Sequence, residues 1–157
     1  MLQKYLLIFL VSMVPLIELR GGVPIAVGMD LPYLPALATC VLGNMVPVPF
    51  IYMFGRAFLK WGSRQRFIGT FCQKVLEKGE KAGEKIVATT GRGGTFVALM
   101  LFVGIPLPGT GAWTGTLAAS LLNLGPKSTA ISVSLGVIMA GIIMAVASGS
   151  VFHIVGL

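Results

Sequence analysis

Charge is what this chain has least of. Only 11% of its 157 residues are Asp, Glu, Lys or Arg, against about 25% in a typical soluble domain. Five residues are acidic, one is histidine and two are cysteine. With so few, no nucleophile stands beside a base and no His/Cys/Asp/Glu run has metal-ligand spacing, so neither an enzyme nor a metal centre is expected. Cys40 lies in an apolar stretch and Cys72 in a basic one; both read as packing residues outside any disulfide framework. Nor is a cofactor expected. Gly109, Gly111 and Gly115 have the wrong spacing for a dinucleotide loop, and no Gly-Lys-Ser/Thr marks a nucleotide triphosphate site.

Apolar side chains fill the space that charge leaves. They make up 55% of the chain, and the mean hydropathy is +0.91. A water-soluble fold of this size cannot hide that much apolar surface, so lipid is the expected solvent and one all-α integral membrane domain the expected fold. An apolar stretch follows Lys4 as in a secretory leader. Glu18-Leu19-Arg20 then stands where small residues would mark cleavage, so no cleavage is expected.

The net charge of +7 is concentrated. Residues 56–94 hold nine Lys/Arg and three Glu, and the rest of the chain is nearly balanced. A single basic block between two apolar halves fits membrane orientation better than nucleic-acid binding, and no nucleic-acid partner is expected. The positive-inside bias puts residues 56–94 in the cytoplasm, the termini outside, and the chain in the cytoplasmic membrane as a multi-pass protein. Ile68, Phe71, Val75 and Leu76, with Phe67, recur at helical spacing among the basic residues, which predicts an amphipathic surface helix.

The apolar halves share a plan. Residues 5–17 are too short to cross a bilayer, and the charged and Gly/Pro-rich ELRGGVP separates them from a second short arm ending near Met29. Residues 33–54 can span, with a kink expected near 43–49 around Asn44, Pro47 and Pro49. In the second half, arms at 96–103 and 112–122 flank GIPLPGTG, and residues 128–152 form the cleanest span. Each half therefore reads as a re-entrant helical hairpin followed by a transmembrane helix: repeat 1 at about 2–55, the basic linker at 56–94, repeat 2 at about 95–152. A hairpin that returns to its own side plus one crossing gives an odd count, so the second repeat is inverted relative to the first. Inverted repeats with broken helices are a recurring transporter architecture. Gly141, Ala145 and Gly149 offer a small-residue face for another helix, and a homodimer is a further expectation.

Two constellations could carry the chemistry. In the first, Glu18 could exchange a proton, Arg20 could grip a phosphate or carboxylate, Gly21 and Gly22 could let backbone approach a ligand, and Pro24 completes the break. A charge inside a bilayer costs at least about 2.5–3.5 kcal/mol on insertion scales, so two there call for a role. The alternative is a structural Glu18–Arg20 pair. In the second, Pro106, Pro108, Gly109, Thr110 and Gly111 could present amides to an anion at the start of a half-helix, with Trp113 as a wall. The alternative is a tight membrane turn. Asn44 could line the same cavity.

ELRGGVP, GNMVPVPF, KGEKAGEK and GIPLPGTGAWTG together resemble the small multidrug export protein family of bacteria and archaea, over nearly the whole chain. That family is similar to the DedA/VTT superfamily, whose members have opposed re-entrant hairpins and are implicated in moving lipid carriers. The resemblance implies a transporter or flippase, proton-coupled through Glu18, for an amphiphilic or phosphorylated lipid substrate. Efflux of lipophilic cationic drugs is one alternative and a non-transporting scaffold another. DedA proteins also carry arginines around the second hairpin; here residues 93–157 hold no arginine, and Lys127 is their only cation.

Overall fold

The computed structural model describes the backbone of residues 1–15, 17–65, 68–107 and 110–155; side chains 75, 78–80, 82–87, 89, 90, 92 and 149–155 are left undescribed. Every element it describes is a helix: α1 Leu2–Met13, α2 Glu18–Gly28, α3 Tyr33–Met45, α4 Pro47–Gly62, α5 Gly69–Gly104, α6 Ala112–Leu121 and α7 Pro126–Val155.

The first break falls earlier than its composition suggests. α1 ends at Met13, and α2 then runs unbroken through Glu18, Gly21, Gly22 and Pro24. Interior proline and two glycines would cost an isolated helix several kcal/mol, about 3 for the proline alone. Packing overrides that propensity. A Cβ at Gly22 would overlap Ser12 and lie 3.0 Å from Cys40 Sγ, so this glycine lets α2 sit close on α1 and α3. α1 has thus ended by Val14, whose backbone is extended, and the arms part before ELRGGVP and not within it. The second break matches its composition: α5 stops at Gly104 and α6 begins at Ala112.

α3 and α4 meet at Val46, whose backbone stays helical, with Pro47 opening α4. Together they form a 30-residue apolar stretch, Tyr33–Gly62, which continues past the expected end near residue 54 and takes in Arg56 and Lys60. Among the described residues, this stretch and the first 23 residues of α7 are the two helices long and apolar enough to cross a membrane. The basic block is thus divided. It supplies the end of α4, a turn, and the first part of α5, which bends at Gly91 (φ 66°) into its apolar last part. Phe67 and the Val75 side chain lie outside the described residues. Phe71 is exposed, and Cys72 and Leu76 pack inward with Leu59, Leu117 and Leu121. Cys40 and Cys72 are both buried and unbridged.

α1, α2 and α3 pack on one another, as do the end of α5, α6 and α7, and the groups interlock through α2 on α7 and α6 on α4. The turns after α2 and α6 are built alike. Asp30 (φ 55°) and Asn123 (φ 51°) take the left-handed conformation, Leu31 N–H donates to Ala26 O at 3.1 Å, and Leu124 N–H donates to Ala119 O at 3.1 Å. These are the left-handed residue and the six-to-one bond of a Schellman cap. Gly43 and Gly136 lie at the same spacing as these pairs. A Cβ on Gly43 would overlap the Phe9 carbonyl, and one on Gly136 would lie 2.7 Å from the Met100 carbonyl. Gly115 likewise lets α6 meet Val103 and Leu99, as Gly22 does for α2 against Ser12 and Ile8.

Candidate functional site

The tertiary fold brings ELRGGVP against GIPLPGTGAWTG. Glu18 is the first residue of α2 and is 5% exposed. Its backbone is left-handed at φ 52°, a conformation that costs a non-glycine residue about 1–2 kcal/mol and persists only where the surroundings enforce it. Val14 O accepts the Glu18 N–H at 3.0 Å, and the carboxylate lies over Gly111. A side chain at Gly111 would overlap that carboxylate, so glycine is required here for space; its φ of 163° is extended backbone open to any residue. Glu18 Oε1 accepts the Trp113 backbone N–H at 3.1 Å. It thereby takes up one of the amides that the first turn of α6 leaves unpaired, at the positive end of that helix.

Arg20 serves the same loop from the other side. It donates to the Leu107 carbonyl, to Ile105 O at 3.4 Å and to Thr110 Oγ1 at 2.8 Å. The Thr110 hydroxyl also lies 2.9 Å from Ile105 O and 3.0 Å from Leu107 O, within the loop it closes. Trp113 Nε1 donates to Met13 O at 3.3 Å, so the end of α1 is tied to the start of α6. No hydrogen bond joins Glu18 to Arg20 themselves; each binds the 105–113 stretch.

Beside these contacts lies a cavity of about 580 Å³ between α2, α4 and α6, within the usual range for a small-molecule site. Its polar end is Glu18, Arg20, Thr110 and Thr114, and Trp113 stands against it. Its long wall is Phe50, Ile51, Phe54, Phe58 and Leu59 of α4, facing Leu117 of α6. Phe50, Phe54 and Phe58 repeat every four residues and are about 60% exposed, so the wall opens to the side. That stripe is legible in the sequence as a periodic aromatic row, but only the packing of α6 on α4 turns it into a wall. Tyr52 and Arg56 project from another part of α4, where Tyr52 donates to Leu124 O and Arg56 to Asn123 Oδ1 at 2.7 Å.

Of the residues singled out from sequence, Glu18, Arg20, Thr110 and Trp113 line the cavity. Pro106 and Gly111 belong to the loop that Glu18 and Arg20 hold. Gly22 serves helix packing against Ser12 and Cys40, and Gly21 leaves room for the Ile17 side chain one turn earlier. Pro24 lies inside α2, and neither it nor Asn44 is part of the lining. Asn44 is fully buried, with neither side-chain polar atom partnered. Pro108 and Gly109 lie outside the described residues.

A family model described as "Putative small multi-drug export protein" matches residues 18–143, 126 of the 157 residues. The chain belongs to this family. The matched span opens on Glu18 and takes in both halves of the cavity. No curated protein and no solved structure matches the chain. Membership of an export family, together with two apolar helices of spanning length, makes this a membrane protein of the small multi-drug export type, and points to export rather than catalysis.

Proposed function

We propose that this small multi-drug export protein is a proton-coupled transporter of the cytoplasmic membrane, in which an amphiphilic substrate binds in the cavity between α2, α4 and α6. The observation that carries the reading is Glu18: a carboxylate buried to 5% exposure, held at φ 52°, on the edge of a 580 Å³ cavity. Strained backbone and intramembrane acid are both costly, and such costs gather at functional positions. Glu18 is the group that takes up and releases the proton, and Arg20 and Thr110 hold the loop that leads into α6 and Trp113.

The architecture that supports alternating access is an inverted repeat, residues 2–55 and 95–152, each a re-entrant hairpin and a spanning helix, with the basic residues 56–94 in the cytoplasm. Ala26, Asp30, Leu31 and Gly43 recur at one constant spacing as Ala119, Asn123, Leu124 and Gly136. The same spacing pairs Gly22 with Gly115 and Glu18 with Gly111. Glu18 thus touches its own counterpart, as a residue on a pseudo-twofold axis does. This plan also underlies the relation to DedA-type proteins and the reading of a flippase for a lipid-linked substrate.

A scaffold without transport is the second reading, favoured by one observation: Glu18 and Arg20 both engage the 105–113 stretch and could serve as a strut. Reconstitution into liposomes with an imposed pH gradient separates the two. The transporter takes up an amphiphilic substrate in the wild type and loses uptake in Glu18→Gln. A scaffold shows no flux in either.

A further inference from the structure

We propose that the corner where α4 gives way to α5 is a binding surface for anionic phospholipid, whose acyl chains cover Trp61, Ile68 and Phe71 and whose head groups meet Lys60, Arg64 and Lys74. None of these six residues lines the cavity, and the inference stands whatever the cavity carries.

The charge comes from the sequence. From Leu31 to Leu76 the chain has five Lys/Arg and no acidic residue. The fold then divides the cations. Arg56 turns to Asn123 Oδ1 at 2.7 Å. Lys60, Arg64 and Lys74 are exposed, and their charged groups have no partner among the described residues.

A loose, solvated connector is the plain alternative, and the packing speaks against it. A Cβ on Gly62 would lie 2.8 Å from Cys72 Sγ, and one on Gly69 would lie 2.8 Å from the Ser63 carbonyl. The start of α5 is therefore folded tightly onto the end of α4. Cys72 and Leu76 pack inward with Leu59, Leu117 and Leu121. What this fixed corner leaves outside is not polar: Trp61, Ile68 and Phe71 are 57%, 43% and 70% exposed.

Depth decides what covers them. The apolar stretch Tyr33–Gly62 ends one residue after Trp61, so this ring stands at the end of a span, where tryptophan is favoured at the lipid–water boundary. The contact between Gly69 and Ser63 keeps the start of α5 at the same level. Apolar side chains there reach acyl chains, while long cationic ones extend to the head groups. A zwitterionic head group offers no net charge, whereas each basic residue at the surface adds to the attraction for an anionic one.

The test measures which lipid sits beside Trp61. The full chain is placed in nanodiscs of mixed phosphatidylcholine and phosphatidylglycerol, with bromine on the chains of one lipid or the other. Quenching of Trp61 is read as the difference between the wild type and Trp61→Phe. Expected is at least about threefold more quenching per molecule by the brominated phosphatidylglycerol. That preference should shrink towards parity in molar salt, where screening shortens to about 3 Å. Lys60→Gln, Arg64→Gln and Lys74→Gln together should abolish the preference and leave both lipids able to quench, because the apolar contacts remain. Equal quenching by the two lipids in the wild type, or undiminished preference in the triple variant, would overturn the proposal. So would a Trp61 that neither lipid quenches, which puts the corner in water or under a protein partner. The wild-type salt series decides alone if the triple variant does not fold. Failure here leaves the proposed transport standing, and absence of uptake in liposomes leaves this surface standing.

Discussion

The two stretches that meet at the cavity, one opening α2 and the other leading into α6, contribute different groups to it. The first, at the start of α2, contributes charged side chains: Glu18 and Arg20. The second contributes mostly backbone, the Trp113 amide and the Ile105 and Leu107 carbonyls, with the Thr110 hydroxyl. Their outer turns are nearly superposable in bonding, each with a left-handed residue and a six-to-one hydrogen bond. What differs lies where they meet. A carboxylate and a guanidinium from one stretch answer the unpaired dipoles of the other. A charged site in a membrane need not collect many charges; it needs one, positioned by groups that cost less to bury.

The sharpest way to break this comparison is to duplicate the acid. Gly111→Glu should put a second carboxylate over the first and lower stability by about 3–5 kcal/mol, as an uncompensated buried charge does, read as a fall in melting temperature in nanodiscs. Adding Glu18→Gly should recover most of that loss, since it frees the space and relieves the left-handed residue at position 18. Recovery shows that the two positions are interchangeable; none shows that the two stretches are not equivalent.

Removing the guanidinium comes next. Arg20→Met withdraws the donor from the Leu107 and Ile105 carbonyls and Thr110 Oγ1, a loss of about 1.5–3 kcal/mol. Leu107→Cys in that background should react faster with a maleimide than in the wild type, against low labelling at the buried Cys40 and Cys72. Unchanged labelling would mean that the loop holds itself. Gly43→Ala and Gly136→Ala probe the matched close approaches of helix to carbonyl. Each should cost about 1–3 kcal/mol, because backbone cannot swing aside as a side chain can, and similar losses support equivalence of the halves. The smallest effect is at the outer turns. Asp30→Gly should stabilise by about 0.5–1 kcal/mol by easing a left-handed residue. Asn123→Gly should gain less, because it also gives up the bond from Arg56.

Much of the site was legible residue by residue. Glu18, Arg20, Thr110 and Trp113 stand out because charge, glycine and proline are conspicuous in apolar sequence, and all four meet at the cavity. Local propensity misleads at the first break. Gly21, Gly22 and Pro24 look like a break and lie inside a helix, where Gly22 gives the close contact with Ser12 and Cys40 that packs α2 against α1 and α3. The α4 wall is not legible in the sequence, because Phe50, Phe54 and Phe58 look like any lipid-facing row until α6 lies beside them.

Composition and hydropathy alone determined that this is a helical membrane protein, because a bilayer leaves exposed backbone few options and the chain has too little charge for water. They also showed two apolar halves around a basic middle. Only the tertiary structure decided that the α6 amide is answered by Glu18 and the loop carbonyls by Arg20. Those partners stand about 90 residues apart in the chain, and a hydrogen bond depends on distance and angle in space, which spacing along a sequence does not encode.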